Sequence, residues 1–303
     1  MVVQNYPSWF RILRQVGRPL CLFFVVAVVV TELERKSHPF KAIPLPDITL
    51  SLIAAALGVL LGFRTNSAYG RWWEARQLWG RLVNSSRSLA RQAISFTDFV
   101  ESRVEATHFA RTLILSQIAY VHALRCVLRN QQPWADIERF VDADIVTALK
   151  GQHNVPAALL HRMGQDAAQA AHNGLISEWR LQSIDATLTE LTAIQGGCER
   201  IKNTPMPRQY DQYPELFVQI YCLLLPTVLV QELGWLTPAV TALVSFVLLV
   251  LNRIGKNLED PFENQVYDTP MTALSRTIEI SLLQTLGEKS LPAAVRPVKG
   301  VLW

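Results

Sequence analysis

Four apolar runs, set apart by long polar stretches, dominate the pattern of the chain. The second, Ile48 to Phe63, carries only Thr49 and Ser51 as polar side chains and stops at Arg64. At about 1.5 Å per residue such a run covers roughly 24 Å as a helix, close to the hydrocarbon thickness of about 30 Å. Asn66, Arg71, Trp72, Trp73 and Glu74 follow it, and tryptophans suit the headgroup level where a span meets water. Ala54, Ala55, Ala56, Gly58 and Gly62 are small, which lets neighbouring helices approach closely.

The other runs fit the same scheme. Pro19–Thr31 is short enough to suit either a signal-peptide core or a span. No small-x-small cleavage site follows it, and Glu32, Glu34, Arg35 and Lys36 come directly after, so a retained first helix is expected, joined to the second through a Pro-containing loop at 37–47. A third span is predicted from Tyr213 to Val230, interrupted by Pro226, and a fourth after the tight turn Glu232–Pro238 as far as Leu251. Residues 64–212 contain no further run able to cross a bilayer. Their apolar residues recur at three and four, as in Leu78, Leu82 and Leu89 or Leu113, Ile114, Ile118 and Val121, which predicts amphipathic helices. Breaks expected at Gln131–Pro133, Lys150–Pro156, Asn173–Gly174 and Gly196–Gly197 divide this region into some four to six of them.

Charge sets the orientation. Arg11, Arg14 and Arg18, interleaved with Trp9, Phe10, Ile12 and Leu13, make residues 1–18 a basic amphipathic lead-in along the cytoplasmic interface. Arginines crowd after the second span, Arg253 and Lys256 follow the fourth, and the turn between the third and fourth has no base. The expected order is therefore a cytoplasmic N-terminus at 1–18, a first membrane hairpin at 19–63, a helical cytoplasmic domain at 64–212, a second hairpin at 213–251 and a cytoplasmic segment at 252–303. The fold class is an all-α integral membrane protein with four transmembrane helices. Half of the 303 residues are hydrophobic, in keeping with this, and a net charge of +4 is too small to imply nucleic acid.

Candidate chemistry is sparse. Cys21, Cys126, Cys198 and Cys222 lack paired spacing, so neither a disulfide framework nor a zinc site is expected. The histidines at 38, 108, 122, 153, 161 and 172 include no i, i+4 pair and are read as non-ligands. No glycine-rich phosphate loop, HExxH or nucleophile elbow occurs, so no catalytic residue, no metal and no cofactor is assigned. The arginines at 64, 71, 76, 81, 87 and 91 wander around a helix rather than forming one stripe, and are read as topology determinants and surface ion pairs more than as an anion-lining set. Glu259 and Asp260, just past the fourth span, are the acidic site to watch, either bracing a helix end or meeting a neighbouring subunit or an ion.

Three blocks carry a resemblance. Leu61–Leu82 (LGFRTNSAYGRWWEARQLWGRL), Glu199–Pro207 (ERIKNTPMP), and Leu258–Phe262 (LEDPF) followed by Ser275–Ile280 (SRTIEI) occur in the order found in the bacterial branch of the bestrophin family of ion channels, which the chain resembles over nearly its whole length. The resemblance implies a homopentamer in the bacterial inner membrane with both termini cytoplasmic. Its central pore would have a narrow apolar neck lined by the second span and a wider cytoplasmic vestibule, passing small monovalent ions. Counting back from Phe63, which keeps the family's aromatic, the neck stripe reads Ala55, Val59, Phe63, where the family prefers larger residues, so a neck wider at its outer end is expected. The acidic run that clasps calcium in animal members is replaced by DPFENQVYD, with Asp260, Glu263 and Asp268 scattered, and a calcium switch is not expected. Anions, chloride foremost, are slightly favoured, because an aromatic edge carries the positive part of its quadrupole. A sodium-permeable channel of the same architecture is the alternative, and a transporter a more remote one, since mid-membrane polarity is limited to Gln219, Thr227, Thr241 and Ser245.

Overall fold

The computed structural model describes residues 1–3, 9–37, 47–97 and 103–303, and of residues 47–49 the backbone alone. The expected loop at 37–47, with His38, falls almost wholly outside the described residues. Every named element is helical: α1 Trp9–Ser37, α2 Asp47–Ser95, α3 Arg103–Leu128, α4 Trp134–Ile137, α5 Ala143–Lys150, α6 Val155–His172, α7 Glu178–Asn203, α8 Arg208–Leu233, α9 Thr237–Glu259 and α10 Met271–Thr285. A single 3-10 turn, Gly234–Leu236, joins α8 to α9, where Gly234 has φ of 46°, a left-handed value that favours glycine. The chain forms two compact units: one comprises Gln4–Trp72 and Pro205–Asp260, the other Met1–Val3, Trp73–Thr204 and Pro261–Trp303, so α2 contributes to both.

In the first unit α1 packs against α8 and α9, and α8 against α9. Val16, Phe23, Leu57, Leu61, Val218, Tyr221, Cys222, Leu225 and Leu249 form its apolar core. Three stretches, Trp9–Ser37, Leu50–Ser95 and Arg208–Glu259, are long and apolar enough to cross a membrane, the last of them containing both α8 and α9. Residues 9–18, expected as a separate lead-in, run without a break into α1 even though Pro19 lies inside the helix. Val16 and Phe23, two turns apart on either side of that proline, are buried in the same core, so packing on one face carries the helix across the missing amide donor.

The second unit is built on α3, whose residues from Leu113 to Leu128 are almost all buried, with α4, α6, α7 and α10 packed against it. Trp79, Leu82, Leu113, Ile118, Leu191 and Ile278 are fully enclosed. Gln117 Nε2 donates to Ser86 Oγ at 2.8 Å and Tyr120 Oη to the Leu191 carbonyl at 3.1 Å, so the buried amide nitrogen and the phenol are partnered. Both ends of the chain close on this unit: Leu302 N donates to Met1 O at 2.9 Å, and Ala273 N to Trp303 O at 2.7 Å.

The break expected at Gly196–Gly197 is absent, because α7 runs through both glycines. A Cβ on Gly197 would sit 3.0 Å from both Leu78 Cδ atoms, whereas one on Gly196 would meet nothing within 4 Å. The second glycine therefore serves close packing against α2 rather than a turn. Gly196→Ala should raise the melting temperature, since alanine is favoured over glycine in a helix by about 1 kcal/mol. Gly197→Ala should lower it by forcing buried Leu78 aside; thermal melts of the two variants check this.

A charged knot in the same unit escaped the sequence. Glu279 on α10 is buried, with His122 Nε2 at 3.0 Å, Arg139 Nη2 at 3.1 Å and Arg276 Nε at 3.1 Å, and Phe140 stacks on the His122 ring. Burial pushes the Glu279 carboxyl up, but the hydrogen bond from His122 and the charges of His122, Arg139 and Arg276 outweigh it and hold the group below the ordinary carboxylate value of 4.5. A depressed folded-state pKa stabilises above the unfolded value and is lost as pH falls through the folded one. Glu279→Gln should therefore cost stability near neutral pH, and its deficit against the wild type should shrink as the pH falls below about 4.5, in melts recorded as a function of pH.

Candidate pore-lining face and the arginine behind it

Within the first unit α2 has two unlike faces. Leu57, Leu61, Arg64 and Ala68 are buried at spacings of four, three and four, one continuous helical stripe. On the opposite side Ala55, Val59 and Phe63 are all exposed, Val59 at 60% and Phe63 at 62% of their surface. The three predicted neck residues thus share a face that the chain's own helices leave uncovered.

Arg64 is the polar member of the buried stripe and is only 1% exposed. Its Nη1 donates to Asn252 Oδ1 of α9 and its Nη2 to Asp211 Oδ1 in the first turn of α8. Glu259 Oε2, at the end of α9, lies 3.7 Å from the same Nη2. One planar guanidinium so joins three helices, a task suited to its fixed fork of donors. Asn252 and Glu259 belong to a buried α9 stripe that also contains Thr237, Thr241, Ser245 and Gly255. Gly255 lies directly against the arginine stem: a Cβ there would meet Arg64 Cγ and Cδ at 3.6 Å, an ordinary packing distance.

The acidic pair expected after the fourth span meets arginines of its own chain. Arg71 Nε donates to the Glu259 carbonyl at 3.0 Å, and its Nη2 is 3.9 Å from Asp260 Oδ1. Glu259 and Asp260 therefore brace the end of α9 against α2. Of the six arginines that appeared to wander, Arg64 is enclosed, Arg81 is exposed and paired with Glu190 at 2.6 Å, and Arg87 and Arg91 are exposed on the second half of α2. The position of Arg64 was legible as the continuation of Leu57 and Leu61, but that signal was hidden by reading the residue as the end of the apolar run.

The calcium-clasp segment offers its carboxylates to other groups. Glu263 pairs with Lys202, and Asp268 Oδ2 accepts from the Gln265 amide at 2.8 Å. Among the described residues no group of three His, Cys, Asp or Glu is placed to hold a metal ion. Burial pushes the Cys198 thiol up to about 12, which leaves it un-ionised and unreactive near neutral pH.

Residues 8–284 match the family model described as Bacterial/Fungal Bestrophin protein. The chain belongs to the bestrophin family. Relatives of this bestrophin include the voltage-dependent anion channel-forming protein mll4386 of Mesorhizobium japonicum, 38% identical over 80% of this chain and 77% of that one. Another is the voltage-dependent anion channel-forming protein YneE of Escherichia coli K12, 30% identical over 98% of each. Among solved structures, a bacterial bestrophin homolog from Klebsiella pneumoniae superposes with a TM-score of 0.85 at 29% identity, covering 91% of this bestrophin and all of that chain.

Proposed function

We propose that the chain is one subunit of a homopentameric channel of the bacterial inner membrane, with four spans, both termini in the cytoplasm and the domain at 64–212 on the same side. The single observation that carries this reading is the uncovered apolar face of Ala55, Val59 and Phe63 on a membrane-length helix whose other face is buried. Copies of α2 set around an axis would turn that face inward, where rings about one turn apart form an apolar neck of roughly 12 Å. Such a neck offers nothing to replace an ion's hydration shell and controls passage by its width and wetting. Five copies are what membership of the family implies, and a ring of heterologous contacts closes only at a definite number.

The permeant species are small monovalent anions, chloride among them. The sign rests on relatives named anion channel-forming proteins and on the aromatic edge of Phe63 at the narrowest ring. No step requires a catalytic residue or a cofactor. Native mass measurement in mild detergent tests the assembly: a mass five times that of the chain is expected, and a species that stops at the dimer contradicts the pore. Millimolar calcium should leave the conductance unchanged, because Glu263 and Asp268 already serve the protein's own groups. Activation at micromolar calcium, recorded in planar bilayers, would show that the clasp works here too.

A further inference from the structure

We infer that Arg64 is a positioning residue for the channel's neck: by tying α2 to both α8 and α9, where Arg71 further along bonds the end of α9, it holds the rotation of α2 and so the direction in which Phe63 points. This rests on the pore reading above and goes beyond it, because Arg64 itself lies on the buried side and touches no permeant ion. Residues 63 and 64 are adjacent, so their side chains leave the helix about 100° apart. A rotation that releases one must swing the other. The apolar members of the buried stripe, Leu57, Leu61 and Ala68, determine which side of the helix is covered but carry no directional bond. The guanidinium differs. Its Nη1 is held by Asn252 and its Nη2 by Asp211, with Glu259 at 3.7 Å, on two different helices, so a turn of α2 breaks directional, charge-assisted bonds to a guanidinium that is itself enclosed. On the face of α2 that carries Phe63 the ring is 62% exposed among the described residues. The angular precision of the neck therefore comes from behind it.

Arg64→Lys separates positioning from mere scaffolding. An ammonium can still meet the carboxylates of Asp211 and Glu259, which face one nitrogen, but it lacks the second coplanar nitrogen that bonds Asn252. Assembled Arg64→Lys channels should show a unitary conductance changed at least two-fold, or several sublevels where the wild type has one. The same substitution in a Phe63→Ala background should add nothing, because the ring it directs is gone. Asn252→Ala, which keeps all three charged groups and removes one directional bond, should act in the same direction and carries the test if Arg64→Lys does not assemble. Assembled variants with wild-type unitary currents overturn the proposal, as do effects that are as large without the Phe63 ring as with it. A Phe63→Ala channel whose conductance equals the wild type removes Phe63 from the neck, and a wild-type protein without unitary currents overturns the pore reading, so these failures are distinguishable from that of the Arg64 proposal.

Discussion

Replacing Phe63 by alanine is expected to raise the unitary conductance several-fold while the assembly stays intact. Phe63 is the bulkiest of the three residues on the uncovered face, and in the proposed pore it would set the minimum radius, so removing its ring would widen and wet the narrowest point. If truncation lowers the barrier for an ion by about 1.4 kcal/mol, passage increases about ten-fold. Ala55→Phe should do the reverse by adding a second narrow ring near the outer end. A packing role for Phe63 predicts something else, a cost of roughly 3–5 kcal/mol and loss of assembly. With the ring 62% exposed in the chain, truncation opens no cavity in the subunit's own core. Single-channel recording beside a size-exclusion profile decides between these, and an intact assembly with unchanged currents removes Phe63 from the gate.

The second large effect falls on Arg64. Arg64→Leu leaves Asp211, Glu259 and Asn252 without their shared donor, and removing one partner of a buried ionic cluster costs about 3–5 kcal/mol. The expected result is loss of correctly assembled protein from detergent extracts. Neutralising the carboxylates as well, in Arg64→Leu with Asp211→Asn and Glu259→Gln, should recover much of the assembled fraction, since an uncharged site of similar volume is often as stable as the ion cluster it replaces. Yields and thermal melts of the single and triple variants measure this. A triple variant no better than the single one would show that the arginine packs rather than pairs.

Much of the architecture was legible in the residues. Apolar runs ending in clustered arginines, Leu78 with Leu82 and Leu89 at helical spacing, and a turn written as GWLTP identify helices because burial period and turn chemistry are local properties. Gly196 and Gly197 misled because a glycine that admits a neighbour and a glycine that ends a helix look alike without the neighbour, here Leu78. The continuity of α1 through Pro19 was not legible either, because the packing of Val16 beside Phe23 is tertiary. The uncovered face of Ala55, Val59 and Phe63 follows helical spacing once the family resemblance marks Phe63, whereas the Arg64 cluster joins positions 147 and 188 residues apart, and the Glu279 knot reaches 157 residues back to His122. Sequence periodicity shows which face of a helix is buried, but not which partner waits there.

Reversal potential in a planar bilayer holding the purified protein, under a ten-fold gradient of potassium chloride, tests the central claim most directly. The account predicts discrete unitary steps that reverse close to the chloride equilibrium potential, about 59 mV from zero for a monovalent ion. Steps that reverse near the potassium potential, of opposite sign, would contradict an anion pore, and a membrane that shows no unitary steps at all would contradict a channel.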